Sequence, residues 1–304
     1  MRSTFRVRLL VALPLLLALA ACDDSNPVTP IDPGPPSPID TEPAWSADVL
    51  SLLYTHAPQS AAESADGPVQ VWKLNLGNGA REFITAGNSA TWSPDGASIA
   101  LIDGYRLVVM DVATRMKRAI GPNAPSFQPA WSPDGRWIAY HASYGDIDGS
   151  WAIYLIHPDG TGFTDISEHG SGQWNTARWS PDSQWLVHRR YVAGAPELFV
   201  MDTTGAQPLR LTNDQADDRG PAWSPDGGWI VWEFVSSNPA EAGLWLMRAD
   251  GSDRRLLHAG GFDPAWAPDG SRIAFSYTAS ADSAATLWSI EPDGSNLTRL
   301  ILPE

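Results

Sequence analysis

The sequence of 304 residues is poor in cysteine, in basic side chains and in long apolar runs. Its one cysteine, Cys22, excludes an intramolecular disulfide and a dithiol redox centre. Lysine and arginine together number 20 against 35 aspartate and glutamate residues, which gives a formal net charge of −15. Such a chain disfavours nucleic acid as a partner because phosphate binding requires basic side chains. The same charge suits cationic partners or divalent ions.

An apolar run at Leu9–Ala20 follows an arginine-rich start and ends directly before Cys22. About a dozen residues cannot span a bilayer, but this length is typical of a signal-peptide core. The junction Leu19-Ala20-Ala21-Cys22 resembles the bacterial lipobox, in which the cysteine is lipidated. We therefore expect residues 1–21 to be a lipoprotein signal peptide and Cys22 to anchor the chain in the bacterial cell envelope, facing the periplasm or the cell surface. The alternative is an ordinary signal peptide with an incidental cysteine.

Residues 22–42 contain six prolines among aspartate, serine and threonine, without apolar periodicity. This composition predicts an extended, disordered tether that holds the folded part away from the membrane. The alternative is a partly ordered strap across the surface of the folded domain.

The remaining chain, 43–304, is organised by a repeat whose clearest copy runs from Pro221 to Trp232. Each copy contains a strand that ends in a tryptophan, here called the lead Trp, then a Ser-Pro-Asp-Gly turn and a second apolar strand. The mean spacing of about 44 residues lies within the range of four-stranded propeller blades. The lead tryptophans are Trp45, Trp92, Trp131, Trp179, Trp223 and Trp266.

The turn chemistry explains why the repeat recurs. Proline presets φ, aspartate bonds nearby backbone amides, and glycine adopts positive φ without a Cβ clash. Two copies depart from this pattern. The first has Ala47-Asp48-Val49, which predicts a different turn, and in the fourth Ser183 replaces glycine at a cost on the order of 1 kcal/mol. The aspartates that follow proline in these turns are interpreted as turn formers and not as a catalytic set: Asp95, Asp134, Asp182, Asp226 and Asp269.

A single four-stranded unit cannot bury its two apolar faces, so the units must close into a ring. The sequence therefore predicts an all-β fold, a six-bladed β-propeller of four-stranded antiparallel blades. We expect the ring to close by packing between the first and last blades, without an exchanged strand. We expect a monomer.

The repeat Pro-Ala-Trp-Ser-Pro-Asp-Gly, followed by Leu-Trp-x-Met and Asp-Gly-Ser, resembles the propeller repeats of the TolB family. The resemblance covers 43–304 and implies a propeller in the cell envelope. It departs from TolB because a proline-rich tether stands where TolB has an α/β domain, and because this chain carries the lipobox. The same repeats occur in peptidase propellers, sugar-lyase relatives and lipoproteins, so the resemblance is specific for fold and weak for function.

Catalytic signatures are not recognisable in the sequence. The six histidines are scattered, and nucleophile elbows, zinc-binding helices and phosphate-binding loops are missing. We therefore expect a chain that is not an enzyme, with no metal and no cofactor. A Ca²⁺ ion at the acidic loop Gly145–Ser150 is a weaker possibility, because the loop lacks the distal glutamate of an EF-hand.

Propellers commonly bind through loops at the mouth of the central channel. The residues that lead into the inner strands differ in type from unit to unit, as a binding surface does. We expect them to bind an envelope protein or peptide. The alternatives are ordinary loop variation, a glycan- or peptide-processing enzyme with a metal in the channel, or a sensor of Ca²⁺ or a small ligand. The candidate binding residues are Glu42, Asn88, Gln128, Trp174, Asn175, Arg178, Asp218, Arg219 and Asp263.

Overall fold

The computed structural model describes residues 39–57, 69–143, 151–167, 174–192, 194–206, 208–214, 216–279 and 284–301. The predicted signal peptide, the lipidation of Cys22 and the Ca²⁺ loop at Gly145–Ser150 lie outside these residues. Within the described part, no helix is long and apolar enough to cross a bilayer.

Six four-stranded antiparallel sheets follow one another along the described chain, which confirms the predicted six-bladed propeller. Blades 1 to 3 contain β1 (Ile39–Trp45), β2 (Ser51–Ala57), β3 (Gln70–Asn75) and β4 (Arg81–Ala86), then β5 (Asn88–Trp92), β6 (Ser98–Asp103), β7 (Arg106–Asp111) and β8 (Lys117–Ala119), then β9 (Ser126–Trp131), β10 (Ile138–Ala142), β11 (Ala152–Ile156) and β12 (Thr164–Asp165). Blades 4 to 6 contain β13 (Trp174–Trp179), β14 (Trp185–Val192), β15 (Ala195–Asp202) and β16 (Leu209–Arg210), then β17 (Asp217–Trp223), β18 (Trp229–Val235), β19 (Gly243–Arg248) and β20 (Arg255–Ala259), then β21 (Phe262–Trp266), β22 (Ile273–Tyr277), β23 (Thr286–Ile290) and β24 (Thr298–Arg299).

The inner strand of every blade ends at its lead Trp, as the repeat predicts. The first strand begins at Ile39, however, four residues before the boundary expected at Pro43. The propeller therefore includes residues that the sequence analysis placed in the tether, among them Glu42.

The core consists of apolar clusters between neighbouring blades, because the second and third strands are covered on both faces. The cluster that closes the ring joins Leu52 and Tyr54 of blade 1 to Ala274 and Leu287 of blade 6, all nearly or fully inaccessible to solvent. Fully burying a large apolar side chain contributes about 1.5–3 kcal/mol. All four strands of each blade are consecutive in sequence. Within the described residues no strand is exchanged between blades 1 and 6, although Asp40 N donates a hydrogen bond to Ala285 O, next to β23 of blade 6, at 3.0 Å. The residues before Ile39 lie outside the described part, so closure by packing alone stays a prediction.

In five of the six blades the turn after the lead Trp has the same hydrogen-bond pattern, whereas in blade 6 Ala267 replaces the serine and Ser271 Oγ donates to Asp269 Oδ1 at 2.7 Å. In blade 5, Ser224 Oγ donates to Asp226 Oδ1 and accepts from Trp229 N at 2.9 Å, while Gly228 N donates to Asp226 at 2.9 Å. Gly227 has φ of 71°. Such aspartates hold the turn, as the sequence predicts.

Two departures from the repeat keep this turn. In blade 1, Ser46 Oγ donates to Asp48 Oδ1 at 2.6 Å, and Val49 takes the glycine position with φ of 55°. The prediction of a different turn in blade 1 is wrong, because the serine–aspartate bonds impose the same geometry on a β-branched residue. In blade 4, Ser183 has φ of 60°, and its hydroxyl accepts a hydrogen bond from Asp134 N in blade 3 at 3.1 Å, which offsets part of the strain.

Candidate ligand site in the central channel

Each inner strand contains a β-bulge three residues before its lead Trp. The pairing with the second strand slips there, for example between Thr41 and Ala44 in blade 1 and between Arg219 and Ala222 in blade 5. A bulge re-aims the side chain that it carries. The bulged residue has left-handed φ in all six blades, which costs on the order of 1 kcal/mol for a residue other than glycine. These residues, here called the bulge ring, are Glu42 (55°), Ser89 (52°), Gln128 (49°), Thr176 (47°), Gly220 (52°) and Asp263 (51°).

The bulge ring lines a cavity of about 280 Å³ in the central channel. The six lead tryptophans line the same cavity, so polar ring positions lie beside aromatic walls. Trp45 Nε1 donates to Ala265 O, and Trp179 Nε1 donates to Ala130 O, each at 3.0 Å. The volume is close to the lower end of small-ligand sites, about 300 Å³.

Four members of the bulge ring are tied in pairs across blade borders. Ser89 Oγ donates to Glu42 Oε1 at 2.9 Å, and Ser89 N donates to Glu42 Oε2 at 3.0 Å. Thr55 Oγ1, behind the ring, donates to the same Oε2 at 2.8 Å. Thr176 Oγ1 donates to Gln128 Oε1. The side chains of these four ring residues are therefore held in place before any ligand enters.

The other part of the ring is open and charged. Gly220 contributes no side chain, and a Cβ placed on it would lie 4.0 Å from Asp263 Oδ1. Burial, together with the carboxylates of Glu42 and Glu233, raises the pKa of Asp263 to about 8, whereas the positive charge of Arg178 lowers it. Burial also raises the pKa of Glu233 to about 7. The pKa values of Asp263 and Glu233 therefore lie near neutral pH.

Arg178 stands directly before a lead Trp, where most blades have alanine, and it lines the cavity. Its Nη1 donates to Ala177 O at 3.1 Å, and no carboxylate of the described residues lies at ion-pair distance from it. Desolvation lowers the pKa of Arg178, against the opposing effect of Glu42 and Asp263. An arginine nevertheless stays protonated in proteins. A desolvated cation therefore faces the channel.

Four of the predicted binding residues meet in this cavity, namely Glu42, Gln128, Arg178 and Asp263. Asn88 lies one position before the ring, and its Oδ1 accepts from Ser89 Oγ at 3.2 Å. Trp174 and Asn175 lie on β13, but their side chains are outside the described part.

The structure places Asp218 and Arg219 away from the cavity lining. Asp218 is buried and accepts a hydrogen bond from Trp232 Nε1 at 2.7 Å. Arg219 is exposed and forms an ion pair with Asp217, which also binds Arg189 at 2.6 Å. These two predicted residues therefore do not join the channel site.

The candidate binding residues chosen from the sequence do not include Ser89, Thr176 or Gly220. The signal was available, because all three stand three residues before a lead Trp. Counting back from Trp179 and Trp223 gives Thr176 and Gly220, whereas the sequence analysis chose residues one or two positions earlier in those blades.

The channel offers a metal only two carboxyl groups, Glu42 and Asp263, and places Arg178 beside them. This donor set gives little support to a metal in the channel. Within the described residues, one other group of acidic side chains has metal-ligand spacing, and it lies at the border between blades 4 and 5.

A family model described as the TolB beta propeller domain matches residues 89–304. The chain belongs to the TolB β-propeller family. It is 28% identical over 200 residues to the uncharacterized protein Atu1656 of Agrobacterium fabrum, 32% identical over 200 residues to a TolB homolog of Chlorobium chlorochromatii, and 25% identical over 203 residues to the uncharacterized peptidase YuxL of Bacillus subtilis. The matches cover 64%, 64% and 63% of this chain and 64%, 36% and 29% of those proteins, so each covers less than two thirds of the relative.

Solved structures share the fold of this TolB-family chain. A TolB protein of Agrobacterium tumefaciens superposes with a TM-score of 0.66 at 22% identity, over 75% of this chain and 86% of that one. Puromycin hydrolase superposes with 0.60 at 16% identity over 89% and 48%. An oligogalacturonate lyase of Vibrio parahaemolyticus superposes with 0.60 at 11% identity over 89% and 79%. An envelope location fits membership of the TolB family.

The prediction that the chain is not an enzyme is wrong. A relative with these repeats is named a peptidase, and similar propellers occur in a hydrolase and a lyase. Propellers of this fold therefore occur in enzymes.

Proposed function

We propose that the central channel binds a short peptide segment through an acidic group, with Arg178 as the anchor. The observation that supports this most is the desolvated Arg178 guanidinium, which lines the cavity without a carboxylate at ion-pair distance among the described residues. A planar guanidinium can hold a carboxylate by two parallel hydrogen bonds.

The rest of the cavity suits a peptide main chain. Gln128 and Thr176 offer an amide and a hydroxyl, and protonated Asp263 can donate a hydrogen bond to a carbonyl. The lead tryptophans give apolar area on which side chains can pack. Convergent polar groups on aromatic walls are typical of ligand sites.

The location of this activity is also part of the proposal. Cys22 would carry the lipid, residues before Ile39 would act as the tether, and the channel would face the periplasm or the cell surface. A lipid anchor keeps the site close to the envelope, where its peptide ligand would be a segment of another envelope protein.

The test uses the full chain and a library of short peptides, each made with a free C-terminal carboxylate and again as the amide. Binding is followed by tryptophan fluorescence, since six tryptophans line the cavity. We expect some free-acid peptides to bind at least ten-fold more tightly than their amides, and Arg178→Ala to remove that difference.

The matched control is Arg136→Ala, because Arg136 is exposed in the turn of blade 3 and lies outside the cavity lining. It should bind as the unchanged protein does. Equal binding of acids and amides, or undiminished selectivity in Arg178→Ala, would reject the proposed anchor.

A second candidate function is a peptide- or glycan-processing enzyme that uses the same channel, and the comparisons favour this function over a purely binding one. The specific observation is Asp263, whose carboxyl group keeps a proton near neutral pH and borders the space next to Gly220. A carboxyl group with a pKa near the working pH can act as a general acid.

This candidate is tested with peptide and oligogalacturonate substrates. Asp263→Asn should lower the rate about 10²-fold or more, because general acid catalysis contributes about 10²–10⁴-fold. The control is Asp253→Asn, an exposed aspartate outside the channel that forms a long ion pair with Arg248. Full activity in Asp263→Asn would assign any turnover to other groups.

A further inference from the structure

Three carboxyl groups meet at the border between blades 4 and 5, outside the channel lining. Glu197 lies on β15, Asp214 follows β16, and Asp218 lies on β17. One oxygen atom from each of the three lies within 4.8 Å of the others. Glu197 and Asp218 are buried, whereas Asp214 is exposed, so the group opens to solvent on one side.

Each of these carboxylates accepts a hydrogen bond from a side chain outside the group. Arg210 Nη2 donates to Glu197 Oε1 at 2.9 Å, and Arg254 Nη1 donates to Asp214 Oδ2 at 3.0 Å. Trp232 Nε1 donates to Asp218 Oδ1 at 2.7 Å. Ligating carboxylates in metal sites are commonly oriented by such outer hydrogen bonds.

Asp218 supplies an independent indication of a ligand. Its side chain is fully buried, and its Oδ2 has no hydrogen-bond partner within the described residues. A buried carboxylate oxygen without a donor is costly and requires a counter-charge or a proton.

We propose that Glu197, Asp214 and Asp218 bind a divalent cation of the Ca²⁺ type. The ligands are all carboxylate oxygens, which hard cations prefer over the softer transition metals. Water or backbone carbonyls would complete the coordination. The acidic chain as a whole attracts cations.

Arg210 and Arg254 reduce the negative charge that the cation meets. We therefore expect weak affinity, with a Kd of about 10⁻⁴–10⁻³ M, the range of extracellular Ca²⁺ modules. The ligands come from blade 4, blade 5 and the connection between them, so a bound cation would fasten two blades together. The midpoint of thermal unfolding should then rise by a few degrees in millimolar Ca²⁺.

The experiment follows thermal unfolding of the full chain, first with chelator and then with increasing CaCl₂. Tb³⁺ serves as a second probe, because its luminescence is sensitised by a nearby indole and Trp232 bonds directly to Asp218. Asp218→Asn keeps an oxygen for Trp232 but removes the charge. We expect this variant to be as stable as the unchanged protein in chelator and to lose the Ca²⁺-dependent rise and most of the Tb³⁺ signal.

Asp214→Asn serves as a second variant because an exposed side chain does not endanger folding, and it should weaken Ca²⁺ binding at least ten-fold. Asp253→Asn is the control with the same change of charge, and it should behave as the unchanged protein. If Ca²⁺ and Tb³⁺ act equally on all four proteins, or on none, the cluster is not a cation site.

Discussion

The turn aspartates and Asp263 stand at mirror positions of the same repeat. The turn residue, such as Asp226, lies three residues after its lead Trp, and Asp263 lies three residues before its own. The hydroxyl of Ser224 and the amide of Gly228 hold the pKa of Asp226 below its usual range. Burial and neighbouring carboxylates raise that of Asp263 to about 8. The same fold thus shifts the pKa of aspartate in opposite directions at the two positions.

This difference separates what folding needs from what a site can use. Every turn must reverse the chain, so the aspartate of each turn accepts its hydrogen bonds within the turn, from a serine hydroxyl and a backbone amide in all six blades. The bulge ring needs only a backbone kink, which serine, threonine, glutamine and glycine all adopt here. The side chains of the bulge ring can therefore differ from blade to blade. Glu42, Asp263 and the adjacent Arg178 place ionisable groups in the channel.

The largest expected effect concerns the pH dependence of stability. Between the unfolded pKa of about 3.8 and the folded value of about 8, the native state holds a proton on Asp263 that the unfolded chain releases. Raising the pH through this window therefore costs stability, by up to about 1.4 kcal/mol per pH unit. Asp263→Asn should lose the share of this slope that Asp263 contributes, whereas the share from Glu233 and Asp218, whose pKa values are also raised to about 7, should remain. The free energy of unfolding in urea from pH 5 to 8 measures the difference.

Asp226→Asn is the matched comparison for that experiment. A lowered pKa contributes stability that is present above about pH 4 and lost only below it. This variant should be less stable than the unchanged protein but keep the same slope from pH 5 to 8. Identical slopes in the Asp263 variant and the unchanged protein would mean that Asp263 is ionised in the folded state.

The next effect is the loss of a turn hydroxyl. Ser224→Ala removes the hydroxyl that donates to Asp226, and it leaves the backbone N–H of Trp229 without its acceptor. The free energy of unfolding should fall by about 1–3 kcal/mol. Peptide binding in the channel should not change. Ser252→Ala, at an exposed turn with the same kind of bond, should cost less, and equal losses would contradict the role of burial.

The turns were predictable from sequence because local chemistry determines them. Asp, Pro and Gly at fixed positions decide the backbone without help from distant residues, and six similar units then require a ring. Even the error at Val49 was local, because a serine–aspartate pair was given less weight than a missing glycine. The hydrogen bonds of Ser46 and Asp48 outweigh the strain of one valine.

The channel was predictable only in part, because its geometry depends on bulges and no single residue type indicates a bulge. Glu42, Gln128 and Asp263 were chosen only because the residues leading into the inner strands differ from unit to unit, and no bulge was predicted. The charge state of Asp263 depends on Glu42 and Glu233 from other blades, so it needs the closed ring. The cluster of Glu197, Asp214 and Asp218 also joins residues of different blades.

A smaller effect sharpens the contrast inside the channel. The positive charge of Arg178 lowers the pKa of Asp263, although burial and neighbouring carboxylates outweigh it. Arg178→Met should therefore raise the pKa of Asp263 further, by about one unit or more. Carboxyl carbon NMR titration measures the change, with Arg136→Met as the control that leaves it constant. A fall in the pKa would show that the guanidinium does not face Asp263.

The smallest net effect is expected where a turn departs from the repeat. Val49→Gly relieves about 1–2 kcal/mol of left-handed strain, but glycine adds about 0.5–1 kcal/mol of unfolded-state entropy, so the gain should not exceed about 1 kcal/mol. The reciprocal change, Gly96→Val, places a side chain where no atom lies within 4 Å of the new Cβ, so it reports the backbone cost alone. Urea unfolding of both variants compares the two turns directly. If Gly96→Val leaves the free energy of unfolding unchanged, left-handed φ causes no strain at the repeated turns. The left-handed residues of the bulge ring would then be unstrained as well.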